Sequence, residues 1–78
     1  MPVIDMKATG INIRMMRIRA KMSIADVQNI CGVSGAAIGK WQRGDAIPTI
    51  DNLVILAAAW KVRIDDIIVV RPAGKAAG

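Results

Sequence analysis

The sequence has no histidine, no glutamate, no phenylalanine, no tyrosine and only one cysteine, Cys31. One cysteine excludes an internal disulfide. Without histidine, a single copy lacks the parts for zinc ligation and for Cys/His or Ser/His catalysis. No metal or other cofactor is expected. Cys31 lies in an apolar helical stretch and reads as a small buried apolar residue. With Phe and Tyr missing, a core must be built from Ile, Val, Leu, Met, Ala and two Trp. Long apolar runs are missing too. The longest region, LVILAAAW, is far too short to span a bilayer, and Lys61 and Arg63 follow it. The opening MPVIDMKATG has no apolar run after a basic start, so it does not read as a secretory leader. A soluble, cytoplasmic protein is expected, with no membrane partner.

What is present is apolar and basic. The 78 residues are enough for one domain, near the lower limit for folding on one core without staples. Hydrophobic residues make up 54%, so apolar supply is not limiting. Net charge is +5, and five of the cations fall between Lys7 and Lys21 with no acid among them. Such a basic half fits a polyanion or an anionic membrane. It equally fits a solvated face that keeps an apolar chain in water. Asp65 and Asp66 are adjacent carboxylates. Neighbours on a helix point about 100° apart, and no His or Cys converges with them. They read as favourable neighbours of a helix dipole, and no enzyme is expected. Nothing suggests a pocket for a small molecule, and no internal repeat is evident.

Caps and breakers divide the chain into short helices. Thr9 and Asn12 are the candidates to open a first helix running to about Met22. Ser23 reads as the N-cap of IADVQNIC, and Gly32 as its stop. Ser34 caps GAAIGKWQR, which Gly44 ends. Pro48 makes Ile47 extended, and Thr49 caps IDNLVILAAAW. A last helix is expected from Ile64 to about Val69, closed by Pro72, with AGKAAG as a flexible tail. The β-branched residues of VRIDDIIVV also suit a short extended segment. The boundaries are 1–8 for an N-terminal segment, 9–70 for the domain and 71–78 for the tail.

Helical phase gives the expected core. Val27, Ile30 and Cys31 share one face; Ala37, Ile38 and Trp41 share another. Leu53, Leu56, Ala57 and Trp60 form a third stripe, and Val62 and Ile67 close the bottom. The first helix has two apolar stripes. Ile11, Met15, Ile18 and Met22 form one; Ile13, Met16 and Ala20 form the other. One of them must face something other than this core.

Two helices joined by a Gly turn, the second short and capped, form a helix-turn-helix. From here the chain resembles the Cro/phage-repressor helix-turn-helix family of bacterial DNA-binding regulators, and most of all its small single-domain members with a KWxxG signature. The matching stretches run in order: TGINIRMMR, MSIADVQ, GVS, AIGKWQRG, IPTIDNLVILA and VRIDDI. They span about Thr9 to Val69. The resemblance implies an all-α, five-helix repressor-like domain. It places Ile13, Met16 and Ala20 toward the core, and leaves Ile11, Met15 and Ile18 exposed as a candidate oligomer surface.

The resemblance also implies a mechanism: the third helix lies in the major groove of double-stranded DNA, bound by a homodimer on paired half-sites. By position the base-facing residues are Gly35, Ala36 and Lys40. The phosphate-facing residues are Ser23, Ser34, Arg43 and Arg17. The chain departs from the family at these places. Relatives that read sequence directly often carry Gln, Asn, Ser or Arg where Gly35 and Ala36 stand. Gly and Ala cannot hydrogen-bond a base edge, so direct readout should be limited. Gln42 replaces the Glu that commonly pairs with the helix-one Arg, here Arg17. Ile24 and Gln28 replace a polar residue and an Ala. Gly39, mid-helix, reads either as room for DNA to approach the backbone, or as tight packing on a neighbour or mere tolerance. The contrasting reading is a helix-turn-helix scaffold kept as a protein-interaction module or antitoxin-like partner.

Overall fold

Five stretches of the chain carry start and stop signals. The computed structural model, which describes residues 1–73, has a helix in each. They are α1 (Met6–Arg19), α2 (Ile24–Cys31), α3 (Gly35–Arg43), α4 (Ile50–Trp60) and α5 (Ile64–Ile67). Two short strands frame them, β1 (Pro2–Ile4) and β2 (Val70–Pro72). They pair antiparallel with Val3 opposite Arg71. The fold is all-α with this one two-stranded piece.

Three helices start where local chemistry dictates. The hydroxyls of Ser23, Ser34 and Thr49 accept the backbone N–H of Asp26, Ala37 and Asn52 respectively. Each thereby satisfies an otherwise orphaned donor in the first turn. Gly32 and Gly44 stop α2 and α3 in the left-handed conformation, with φ of 67° and 81°. Lys61 ends α4 in the same conformation without being glycine, at φ 57°.

The first helix departs from expectation. It opens one turn early, with the Asp5 carboxylate accepting from Ala8 N at 3.0 Å. Thr9 and Asn12 therefore lie inside α1, and their polar groups point at the far end of the chain. Thr9 Oγ1 accepts from Val69 N at 2.9 Å and is fully buried. Asn12 Nδ2 donates to the carbonyls of Asp66 and Ile67 at 3.2 and 3.3 Å. Both residue types are good caps, but here the backbone they satisfy belongs to α5 and to the link between α5 and β2. The helix also ends at Arg19, short of Met22, because Lys21 turns left-handed at φ 59°. α5 stops at Ile67 and not at Val69; Pro72 pairs in β2 instead of closing a helix. Of the expected AGKAAG tail, residues 74–78 lie outside the described residues.

The core holds Ile13, Val27, Ile38, Trp41, Leu53, Leu56, Ala57, Trp60 and Ile67. α1 packs on α3 and α5, α2 on α3 and α4, and α4 on α5. Two expected core residues lie elsewhere, and a third, Ala37, is half-buried and outside the core cluster. Ile30 is exposed, because the buried line of the short α2 runs through Val27 and Cys31. Ala20 is exposed, because it is the residue where the chain leaves α1. Met16 packs against the core; Ile11, Met15 and Ile18 are 58%, 49% and 47% exposed. No helix among the described residues is long and apolar enough to cross a membrane.

Candidate nucleic-acid interface

The rear of α3 is fastened to the rest of the domain. Ile38 and Trp41 are buried. Behind them, α1 approaches so closely that a Cβ at Gly10 would overlap the Trp41 carbonyl oxygen and lie 2.7 Å from that of Gln42. A Cβ at Gly44 would lie 2.8 Å from Lys7 Cα. Only glycine fits either place. Arg17 clamps the same end from the side: its Nε donates to Gln42 Oε1 at 3.0 Å and its Nη1 to the Met22 carbonyl at 2.9 Å. The Arg17–Gln42 pairing expected from sequence is thus formed. It also spends two of the guanidinium's five N–H donors inward, so Arg17 braces α3.

The front of α3 is open. Ala36 and Lys40 are exposed, and Gly35 is half-buried against α2. Ser34 is exposed; its hydroxyl oxygen accepts from the Ala37 N–H at 3.1 Å, leaving its O–H to donate. Arg43 reaches Asp45 at 3.1 Å, with both side chains more than half exposed. A surface ion pair of this kind contributes only about 0–1 kcal/mol, so a phosphate can displace Asp45 cheaply. The Arg43 guanidinium lies back across Gly39, its Nη1 3.0 Å from where a Cβ would stand. No other helix comes within 4 Å of that point. Gly39 therefore serves no helix-to-helix contact; its vacant space is covered by a flexible cation.

The two helix starts differ electrostatically. The first turn of α3 holds no acidic residue, and its last turn holds Lys40 and Arg43. Its positive N-terminal dipole end therefore stands uncompensated. α2 is closed by a full capping box. Ser23 Oγ accepts from Asp26 N, and the Asp26 carboxylate accepts from Ser23 N at 2.8 Å. That carboxylate lies in the first turn of α2 and offsets the positive end of its dipole. Ser23, expected to face phosphate, has its hydroxyl and its backbone N–H both engaged with Asp26. Asp26 was legible as the third residue after a Ser cap, the position of a reciprocal carboxylate.

Sequence position alone gave Gln28 no role. In the structure its carboxamide is the group nearest Gly35. Cys31 is half-buried, less than expected, and burial raises its thiol pKa above the ordinary value, so it stays protonated at neutral pH. Among the described residues no cluster of His, Cys, Asp or Glu is arranged to hold a metal ion.

A domain of five short helices, with a capped helix exposed after a Gly turn, is the helix-turn-helix arrangement. Residues 13–67 match the helix-turn-helix family, and the chain belongs to it, in the Cro/C1 type. A search of curated proteins finds no matching sequence. Among solved structures, the P22 c2 repressor, in complex with the synthetic operator 9T, is 32% identical with a TM-score of 0.69. That match covers 76% of this chain and 89% of the repressor. The restriction-modification controller protein C.AhdI from Aeromonas hydrophila is 21% identical with a TM-score of 0.71, over 81% of this chain and 96% of that one. The DNA-binding domain of BldD is 23% identical with a TM-score of 0.66, over 82% and 93%. The last two similarities concern the fold.

Proposed function

We propose that this protein is a DNA-binding transcription regulator of repressor-like type. It lays α3 in the major groove of double-stranded DNA with the Gly35 end toward the base edges. The observation that carries this reading is the asymmetry of α3: a rear that admits no side chain at Gly10, and a front that is basic, open and without a carboxylate in its first turn. Lys40 and Arg43 supply charge to phosphate or base. The Ser34 hydroxyl and the first backbone N–H groups of α3 supply neutral donors. Gly35, Ala36 and Gly39 make a slim insert with little direct readout, so specificity leans on DNA shape and on paired half-sites. GKWQRG, ending at Gly44, supports a place among the small KWxxG members. It acts in the cytoplasm, as a homodimer whose candidate surface is Ile11, Met15 and Ile18.

Selection of bound duplexes from a random pool tests the proposal. A clear consensus, bound with a steep loss of affinity as salt rises, is the expected result. Binding that ignores salt, or no binding at low salt, overturns it.

One observation favours a second reading. Ile11, Met15 and Ile18 line one exposed side of α1, and an apolar stripe of this kind suits contact with another protein. A helix-turn-helix scaffold serving as an interaction module would show this stripe without DNA affinity. A monomer that binds no duplex is the result that selects it.

A further inference from the structure

The reading end of α3 has no hydrogen-bonding side chain of its own, since Gly35 and Ala36 stand there. A side chain from α2 occupies the vacant place. The three nearest atoms to a Cβ built at Gly35 are Gln28 Oε1 at 3.5 Å, Cδ at 3.6 Å and Nε2 at 3.8 Å. The carboxamide thus lies across the first residue of α3. It makes no side-chain hydrogen bond among the described residues, although Gln28 is half-buried. A carboxamide carries two N–H donors and a carbonyl acceptor, and here none is spent on another side chain or backbone group among the described residues, which leaves them available to a ligand.

We infer that Gln28 is the base-reading residue of this protein, delivered to the groove from α2 through the gap left by Gly35. This rests on the DNA-binding reading above and goes beyond it by naming the base. A carboxamide matches adenine in the major groove, Nε2 donating to N7 and Oε1 accepting from the N6 amino group. Gly35 leaves the amide room: a Cβ there would already touch it at ordinary contact distance. Lys40, a flexible point charge one turn further along α3, is left to phosphate or guanine.

The test is random-duplex selection with the full chain, run for the wild type, Gln28→Met and Gln28→Glu. Methionine keeps the length and apolar contact but cannot make the pair. Glutamate accepts only, and its match is the cytosine amino group. The wild-type consensus should hold an adenine at one position per half-site. Gln28→Met should reduce the preference for it by about 5- to 150-fold and leave the other positions as they were. Gln28→Glu should move that position toward cytosine. An unchanged consensus in both variants, with affinity altered equally for all duplexes, makes Gln28 a packing residue and overturns the inference while the DNA-binding reading stands. A wild type that enriches no duplex overturns both. Should Gln28→Met fail to fold, as judged by thermal unfolding, Gln28→Glu decides the matter alone.

Discussion

At its C-terminal end α3 meets α1 backbone to backbone, at Gly10 and Gly44; at its N-terminal end the group nearest Gly35 is the Gln28 amide. The first end has three independent fastenings: the Gly10 approach, the Gly44 turn over Lys7 and the Arg17–Gln42 hydrogen bond. The second has a Ser34 cap and the side-chain amide of Gln28. The contrast shows how a nine-residue helix can be rigid and yet presentable. Anchoring it at one end leaves the other free of bulk, and a slim tip can enter a groove without the helix loosening from its core.

The comparison breaks most sharply at Gly10. Gly10→Ala forces its methyl into the Trp41 carbonyl oxygen, and backbone cannot move aside as a side chain can. Overpacking costs about 1–3 kcal/mol in general, and this site belongs at the upper end or above. Chemical denaturation should show it. The Gly44 and Gly32 turns give a finer measure. Both have positive φ, but a Cβ at Gly32 meets nothing within 4 Å. Gly32→Ala should cost the left-handed strain alone, about 1–2 kcal/mol. Gly44→Ala should cost visibly more, and the difference measures the contact with Lys7.

The open end should respond in binding and not in stability. Replacing Lys40 and Arg43 together with alanine should flatten the slope of log K against log salt by about 1.8, two phosphates at about 0.9 each. The melting temperature should hardly change, since both residues are exposed and the Arg43–Asp45 pair lies on the surface. Loss of fold in this variant would mean that the front of α3 has been misidentified. The smallest effect is expected at Gly39. Alanine there gains up to about 1 kcal/mol of helix propensity, reduced by the cost of moving the Arg43 guanidinium a few tenths of an ångström. A net destabilisation, read by thermal unfolding, would show that Arg43 is held more firmly than its exposure suggests.

Much of the fold was legible because its punctuation is local. Ser23, Ser34 and Thr49 act on N–H groups three residues ahead, and Gly32 and Gly44 act on their own backbone. The stripe Leu53, Leu56, Ala57 and Trp60 follows from helical period alone and is buried throughout. The candidate site was less legible. Ser23 and Arg17 carry the right chemistry for phosphate, but the structure also gives them partners of their own: Asp26 for Ser23, and Gln42 and Met22 for Arg17. Position in a motif names the side chain; its neighbours decide whether it is still free.

By itself the sequence determined the limits of α2, α3 and α4, the two anchors of the inner face of α3, Ile38 and Trp41, and its turn. Caps, left-handed glycines and helical phase all work within a few residues. Only the tertiary structure decided what Thr9 and Asn12 do, since their partners Val69 and Asp66 lie 60 and 54 residues away. It likewise decided why Gly10 must be glycine and where the Gln28 amide rests, because both depend on how near a second helix comes. Propensity is a property of one segment, whereas distance between segments belongs to the whole packed chain.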